Sequence, residues 1–156
     1  MAVAIQHFAP LLGSEAVPIY QEGVLSFDPG SGSAHAPFDD MEAFVAVVEG
    51  WHAAIQVYRH GPVGGVIYGA LSYVRPQFRR MGLFKRLREA CDEDSLARGY
   101  GRVFSVVVDG PSAPAMCAAM EERGAVRCDP ADFGRAAHMM IDGRQVALLG
   151  YVRELA

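Results

Sequence analysis

The stretch from Val66 to Val108 constrains the fold more than any other. It reads VIYGALSYV, then RPQFRRMG, then LFKRLREACDEDSLAR, then GYG and RVFSVVV. Val66–Val74 is rich in β-branched and aromatic residues, which predicts a strand. Pro76 has no N–H to donate and closes it. From about Gly82 to Arg98, Leu83, Leu87, Ala90 and Cys91 recur on one face. Lys85, Arg86, Arg88, Glu89, Asp92 and Glu93 fall largely on the other. This predicts an amphipathic helix stopped by Gly99. Val103–Val108 is nearly continuous in apolar residues and predicts an interior strand. Strand, helix and strand together have the length of a right-handed crossover, so the fold class is α/β with a mixed sheet.

The joint between the first strand and the helix carries the chemistry. Arg75–Gly82 lies at the carboxyl end of a strand and the amino end of a helix, where α/β proteins place anionic ligands. A helix N-terminus offers unpaired N–H groups and partial positive charge, and a phosphate satisfies both. Gly82 admits a close backbone approach. Arg79 and Arg80 add multidentate donors. The competing reading makes Arg75, Arg79, Arg80, Lys85 and Arg86 a solvated face and Gly82 a turn residue. The strand before the turn, the amphipathic helix after it and the strand beyond favour a phosphate or pyrophosphate cradle. Other phosphate motifs fit badly. No G-x-x-x-x-G-K-[ST] is present, Gly99-Tyr100-Gly101 follows a helix, and Asp109-Gly110-Pro111-Ser112 lacks a G-x-S-x-G elbow.

Outside this unit the signals are more local. Residues 2–8 predict a strand ended before Pro10. Residues 14–22 open with a Ser cap and stop at Gly23, but Pro18 weakens a helix there. Residues 28–37 hold Gly and Pro and predict a loop. Asp39 and Glu42 have capping-box spacing. Met41, Phe44, Val45 and Val48 recur at helical spacing, so the pattern predicts a helix over about 39–50. Ala53–Arg59 predicts a strand, with HGPVGG as its turn. Pro114–Arg123 predicts a helix stopped by Gly124. Residues 136–141 and 146–152 flank Asp142-Gly143, a hairpin signal. No repeat appears, and 156 residues suit one domain over 1–156 with its own core.

Apolar residues at 51% and charged residues at 21% fit a globular protein and argue against disorder. A net charge of −4 gives no sign of a nucleic-acid binder and is compatible with a cationic amine acceptor. Cys91, Cys117 and Cys128 have no metal-site spacing and read as reduced thiols, so no metal is expected. The apolar N-terminus has no Lys or Arg ahead of it, and no run reaches a membrane span. A cytoplasmic location, away from the membrane, is expected.

Val74-Arg75-Pro76-Gln77-Phe78-Arg79-Arg80-Met81-Gly82-Leu83-Phe84 resembles the V-x-P-x-x-[QR]-x-x-G-x-[GA] motif of the GNAT superfamily of acyl-CoA-dependent N-acyltransferases. "LARGYGRVFSVVV" looks like the helix end and following strand of the same fold. The resemblance covers about residues 66–128. It implies acetyl-CoA or another acyl-CoA as co-substrate. The backbone N–H groups of Arg79, Arg80, Met81, Gly82, Leu83 and Phe84 would hold the pyrophosphate. Ser72, Tyr73 and Val74 would pair with the pantetheine amides and offer an N–H to the thioester carbonyl. An amine acceptor, a small molecule or a protein, would attack directly in a ternary complex. Cys117 then reads as an ordinary helix thiol.

Three departures from the family pattern stand out. The last Gly/Ala position is Phe84. In the later N-x-x-A-x-x-x-Y-x-x-x-G-F segment the Asn position is Ala113. The Tyr position, which commonly protonates the leaving thiolate, is Met120. The N-terminal half is compact, with two recognisable strands where the family usually has three. These departures motivate an alternative: a GNAT-fold protein that binds CoA or a partner, or serves in an assembly, without the reaction.

Candidates for the base are Tyr68, Ser72 and Tyr73. Tyr68 and Ser72 share one face of the strand and Tyr73 takes the other, and both tyrosines also suit sheet packing. His52, His60 and His138 have the right pKa class but suit surface or core positions equally. Glu22, Asp39 and Asp40 either line an acceptor pocket or cap and solvate helices. Trp51 suits the core. Asp109 either binds the acceptor amine or caps a turn.

Overall fold

The computed structural model describes residues 2–28 and 36–155. Most of the loop expected over 28–37 therefore lies outside the described residues. The elements in chain order are β1 (Val3–Phe8), α1 (Val17–Phe27), β2 (Glu42–Val48), β3 (Trp51–His60), β4 (Val66–Val74), α2 (Leu83–Ala97), β5 (Arg102–Val108), α3 (Ala113–Glu122), β6 (Val126–Cys128), β7 (His138–Ile141) and β8 (Arg144–Glu154). The protein is mixed α/β, and its strands are mostly antiparallel. Two compact units share β4. The first is Met1–Arg59 with Ala70–Asp94, and the second is His60–Gly69 with Ser95–Ala156. Among the described residues no helix is long and apolar enough to cross a membrane.

In the first unit β1, β2 and β3 form an antiparallel sheet, followed in strand order by the second half of β4. The Arg75 amide at the end of β4 donates to the Ala53 carbonyl of β3 at 2.9 Å. The expected helix over 39–50 is instead the strand β2 and its turn into β3. β2 is the middle of the three strands and is buried on both faces, so nearly every position from Met41 to Val48 is apolar. A run with a single polar position, Glu42, satisfies helical spacing as readily as any other. Glu49 (φ 51°) and Gly50 (φ 82°) form a tight hairpin turn between two strands. The N-terminal half thus has three strands before β4, which removes its apparent shortness.

α1 is also longer than the sequence suggested. Pro18 sits in its first turn, where a missing N–H costs nothing. The helix runs through Gly23 because that residue faces β4: a Cβ there would lie 3.0 Å from both Leu71 Cδ2 and Tyr73 Cβ. The core beneath α1 comprises Leu11, Ile19, Tyr20, Val45, Ile55 and Val57, with Leu71 and Tyr73 packed against it.

In the second unit β4 runs parallel to β5 for three residue pairs, Val66–Tyr68 against Arg102–Phe104. β8 pairs antiparallel with β5 along Arg102–Val108. β6, three residues that the sequence pattern did not reveal, pairs with Val152–Gly150 of β8, and β7 pairs with its first part. The β7–β8 turn is the expected Asp142-Gly143, with φ of 51° and 73°. Among the described residues of this unit, one apolar cluster surrounds Tyr68, Phe104 and Phe133 and another surrounds Val107, Ala113, Ala125 and Tyr151.

Candidate active site

β4 ends at Val74, and a single 3₁₀ turn, Pro76–Phe78, leads into Arg79–Gly82. Arg80 and Gly82 both take left-handed backbone, φ 64° and 72°. A Cβ on Gly82 would meet nothing within 4 Å. Glycine is therefore asked for by the dihedral and not by crowding within the protein, and the space in front of it is open. The Arg86 amide donates to the Gly82 carbonyl at 3.3 Å, starting α2. The residue at the head of the helix thus has no side chain to accept from the first N–H groups of α2, and the first turn of α2 holds no acidic residue. Open space at Gly82 and a first turn with no carboxylate suit a phosphate-sized anion, while the Arg79 amide already donates to the Pro76 carbonyl at 3.4 Å.

The basic side chains divide. Arg79 folds back, its Nε donating to the Val74 carbonyl at 3.2 Å, and its other guanidinium N–H groups are still donors. Arg80 is exposed. Arg75 is not part of a solvated face. Its Nε pairs with Glu22 Oε2 at 3.0 Å and its Nη1 donates to the His52 carbonyl at 2.8 Å. Lys85 does lie on the solvated face, 3.9 Å from Glu89.

The end of β4 carries two polar pairs, both in the first unit. The Ser72 hydroxyl donates to Gln56 Oε1 at 2.5 Å, and Gln56 is buried on β3. The Tyr73 hydroxyl donates to Glu22 Oε2 at 2.8 Å, the same oxygen that pairs with Arg75. Burial first, then the hydrogen bond and charge of Glu22, raise the Tyr73 pKa, so the phenol stays protonated. The Glu22 carboxylate is 43% exposed and can meet a solute. The link from Glu22 to Tyr73 and Arg75 spans some fifty positions and left no spacing signal in the sequence.

No protein-family model matches the chain, and no curated protein matches it by sequence. Solved structures do match over nearly its whole length. An acetyltransferase of the GNAT family from Staphylococcus aureus superposes with TM-score 0.71 at 12% identity, covering 99% of this chain and 100% of that one. The ribosomal-protein-S18-alanine N-acetyltransferase of Escherichia coli gives 0.69 at 16%, covering 99% and 95%. A GNAT family acetyltransferase from Elizabethkingia anophelis, solved with acetyl-CoA bound, gives 0.64 at 10%, covering 97% of both. This chain has the GNAT fold.

The remaining candidates take their places within that GNAT fold. Tyr68 is 2% exposed, its hydroxyl donating to the Phe133 carbonyl at 2.8 Å and accepting from the Val63 amide at 3.4 Å. Its ring lies 5.4 Å from Phe104 and under the Arg135 guanidinium, so its surroundings are those of a core residue. Ala113 and Met120, at the Asn and Tyr positions of the family segment, lie in and against the apolar cluster around Val107 and Tyr151. Cys117 packs there too. Cys91 is fully buried on α2, and burial pushes its thiol pKa well up, leaving no nucleophilic thiolate. Asp40 pairs with Arg59 through both oxygens. The His60 ring bonds the Tyr100 hydroxyl, and His138 is exposed on β7. Trp51 is not a core residue but stands 65% exposed beside the β2–β3 turn. Asp109 donates its amide to the Ala147 carbonyl and lines an open depression with Arg144 and Gln145.

Proposed function

We propose that the chain, acting as one domain over residues 1–156, is an acyl-CoA-dependent N-acyltransferase, moving an acetyl group from acetyl-CoA to an amine of a small molecule or protein. The observation that carries this reading is the left-handed Arg80–Gly82 turn, open in front and feeding the unopposed N-terminus of α2, in a GNAT fold. The amides of Arg80 to Phe84 hold the pyrophosphate, and that of Arg79, expected to join them, donates instead to the Pro76 carbonyl at 3.4 Å. The edge of β4 at Ser72, Tyr73 and Val74 lies beyond the three-pair ladder to β5, and it binds the pantetheine amides.

The co-substrate supplies an activated acyl group as a thioester. A C–N bond forms as the C–S bond breaks, the ammonium proton passes to a base and the thiolate takes up a proton. The Val74 region offers an amide to the developing oxyanion. Glu22 attracts the cationic acceptor and receives its proton directly or through water. Tyr73 and Arg75 fix that carboxylate by sharing its Oε2. Ser72 is held by Gln56 and keeps the strand end in register. Tyr68, engaged inside the core, has no part in proton transfer.

A second reading is favoured by one observation. Met120 packs among apolar side chains where the family places its acid, which suits a protein that binds CoA and a partner without turnover. The loss is tolerable for an enzyme, since a thiol with a pKa of ~8.5 leaves fairly well unaided. Release of CoA thiol over a panel of amines tests the two. Amine-dependent release establishes the transferase. Binding of acetyl-CoA with release no faster than hydrolysis across the panel establishes the second reading.

A further inference from the structure

We propose that His7, Glu42 and Asp94 bind one divalent transition-metal ion of the zinc class, a site separate from the acyl-CoA cradle and independent of it. The three residues come from β1, β2 and α2, all in the first unit. One ligand-type atom from each lies within 4.8 Å of the other two. His7 Nε2 is already 3.4 Å from Glu42 Oε1.

The arrangement is oriented as a site. The His7 ring stacks flat on Phe44, its cross-strand partner, with centroids 4.2 Å apart and 6° between planes. That contact fixes the ring plane with Nε2 toward Glu42. Glu42 is 7% exposed, an uncommon position for a carboxylate. Asp94 brings a second carboxylate beside it. One imidazole nitrogen with two carboxylates suits zinc or its first-row neighbours, while magnesium and calcium favour oxygen alone. Zinc bonds of about 2.0–2.2 Å require the donor atoms to draw together by roughly an ångström. His7 is exposed and Asp94 part-exposed, which gives the ion a way in. Three protein ligands leave a position for water.

The full chain, stripped with chelator, is titrated calorimetrically with Zn²⁺, and with Co²⁺ while visible absorption is followed. Saturable binding of one Zn²⁺ per chain is expected, with cobalt bands of a low-coordinate N/O site and no response to Mg²⁺. His7→Gln and Asp94→Asn change part-exposed side chains and leave the fold intact by circular dichroism. Each is expected to weaken binding roughly tenfold or more. Absence of saturable Zn²⁺ binding at millimolar ion overturns the proposal, leaving His7 and Glu42 a plain ion pair. Unchanged affinity in both variants overturns it too, by placing the ion elsewhere.

Discussion

Gly82→Val separates the fold from the ligand at a single position. The new Cβ meets no protein atom within 4 Å, so its cost within the protein is the left-handed dihedral alone. For a β-branched residue that is about 1–2 kcal/mol. A chain of this length has a stability of roughly 8–23 kcal/mol, so the variant folds. Its midpoint falls by ~2–8 °C, given ~2–4 °C per kcal/mol in this size range. In the unsubstituted protein, acetyl-CoA at a hundred times Kd adds ~2.7 kcal/mol, or ~5–11 °C. A hundredfold loss of affinity in Gly82→Val leaves only ~0.4 kcal/mol at that concentration, about 1 °C. Thermal unfolding with acetyl-CoA, CoA and adenosine diphosphate reads both quantities. An equal acetyl-CoA shift in variant and parent would refute the cradle. A loss of shift with CoA and adenosine diphosphate alike would place the defect at the pyrophosphate they share.

Other consequences are as direct. Tyr68→Phe strands the buried Phe133 carbonyl and removes the part-buried acceptor of the Val63 amide; a loss of ~1–3 kcal/mol in denaturant unfolding is expected, with CoA release within twofold of the parent. A collapse of release at unchanged stability would return Tyr68 to the proton path. Met120→Tyr restores a phenol at the family's acid position, and amine-dependent CoA release should rise, by up to ~10²-fold at pH 7. A flat pH series would show that thiolate protonation does not limit the rate. Tyr20 and Tyr73 both have raised pKa values, chiefly through burial. The unfolded chain ionises first, so their contribution is full below pH ~10 and is lost as pH climbs through the folded values. Tyr73→Phe should blunt that alkaline loss, measured as midpoint against pH; an unchanged slope would count against the assignment. Cys91 should resist thiol reagents at pH 8 in the native state while Cys117 and Cys128 react, and labelling at Cys91 as fast as in denaturant would contradict its burial.

Legibility in the sequence followed locality. β4, α2 and β5 each announce themselves by composition and by the residues that stop them, and Pro76, Gly82 and Gly99 punctuate the segment where the structure does. The hairpin of β2 and β3 was hidden because burial on both faces erased the alternation that marks a strand. Its turn, Glu49-Gly50, is a weaker signal than the Asp142-Gly143 that revealed β7 and β8. Pro18 disguised α1, since the same residue breaks a helix interior and suits a first turn. The site was half legible. The Arg79–Phe84 turn is contiguous and could be read, whereas Glu22, Gln56, Tyr73 and Arg75 meet only through the sheet. His7, Glu42 and Asp94 are an extreme case, with no motif spacing to count.

β8 has a consequence for how the protein is made. Its residues are held by β5, β6 and β7, yet it is synthesised after all three. At ~5–20 residues per second, Val108 precedes Glu154 by roughly 2–9 s. Through that interval the edge of β5 that β8 will cover is an open row of amides and carbonyls flanked by VFSVVV, the most apolar strand of its unit. The nascent chain is thus exposed to strand-edge misassociation until the ribosome delivers the strand that closes it. Slower translation of the segment after β5 should lower the soluble yield more than the same delay placed after β3.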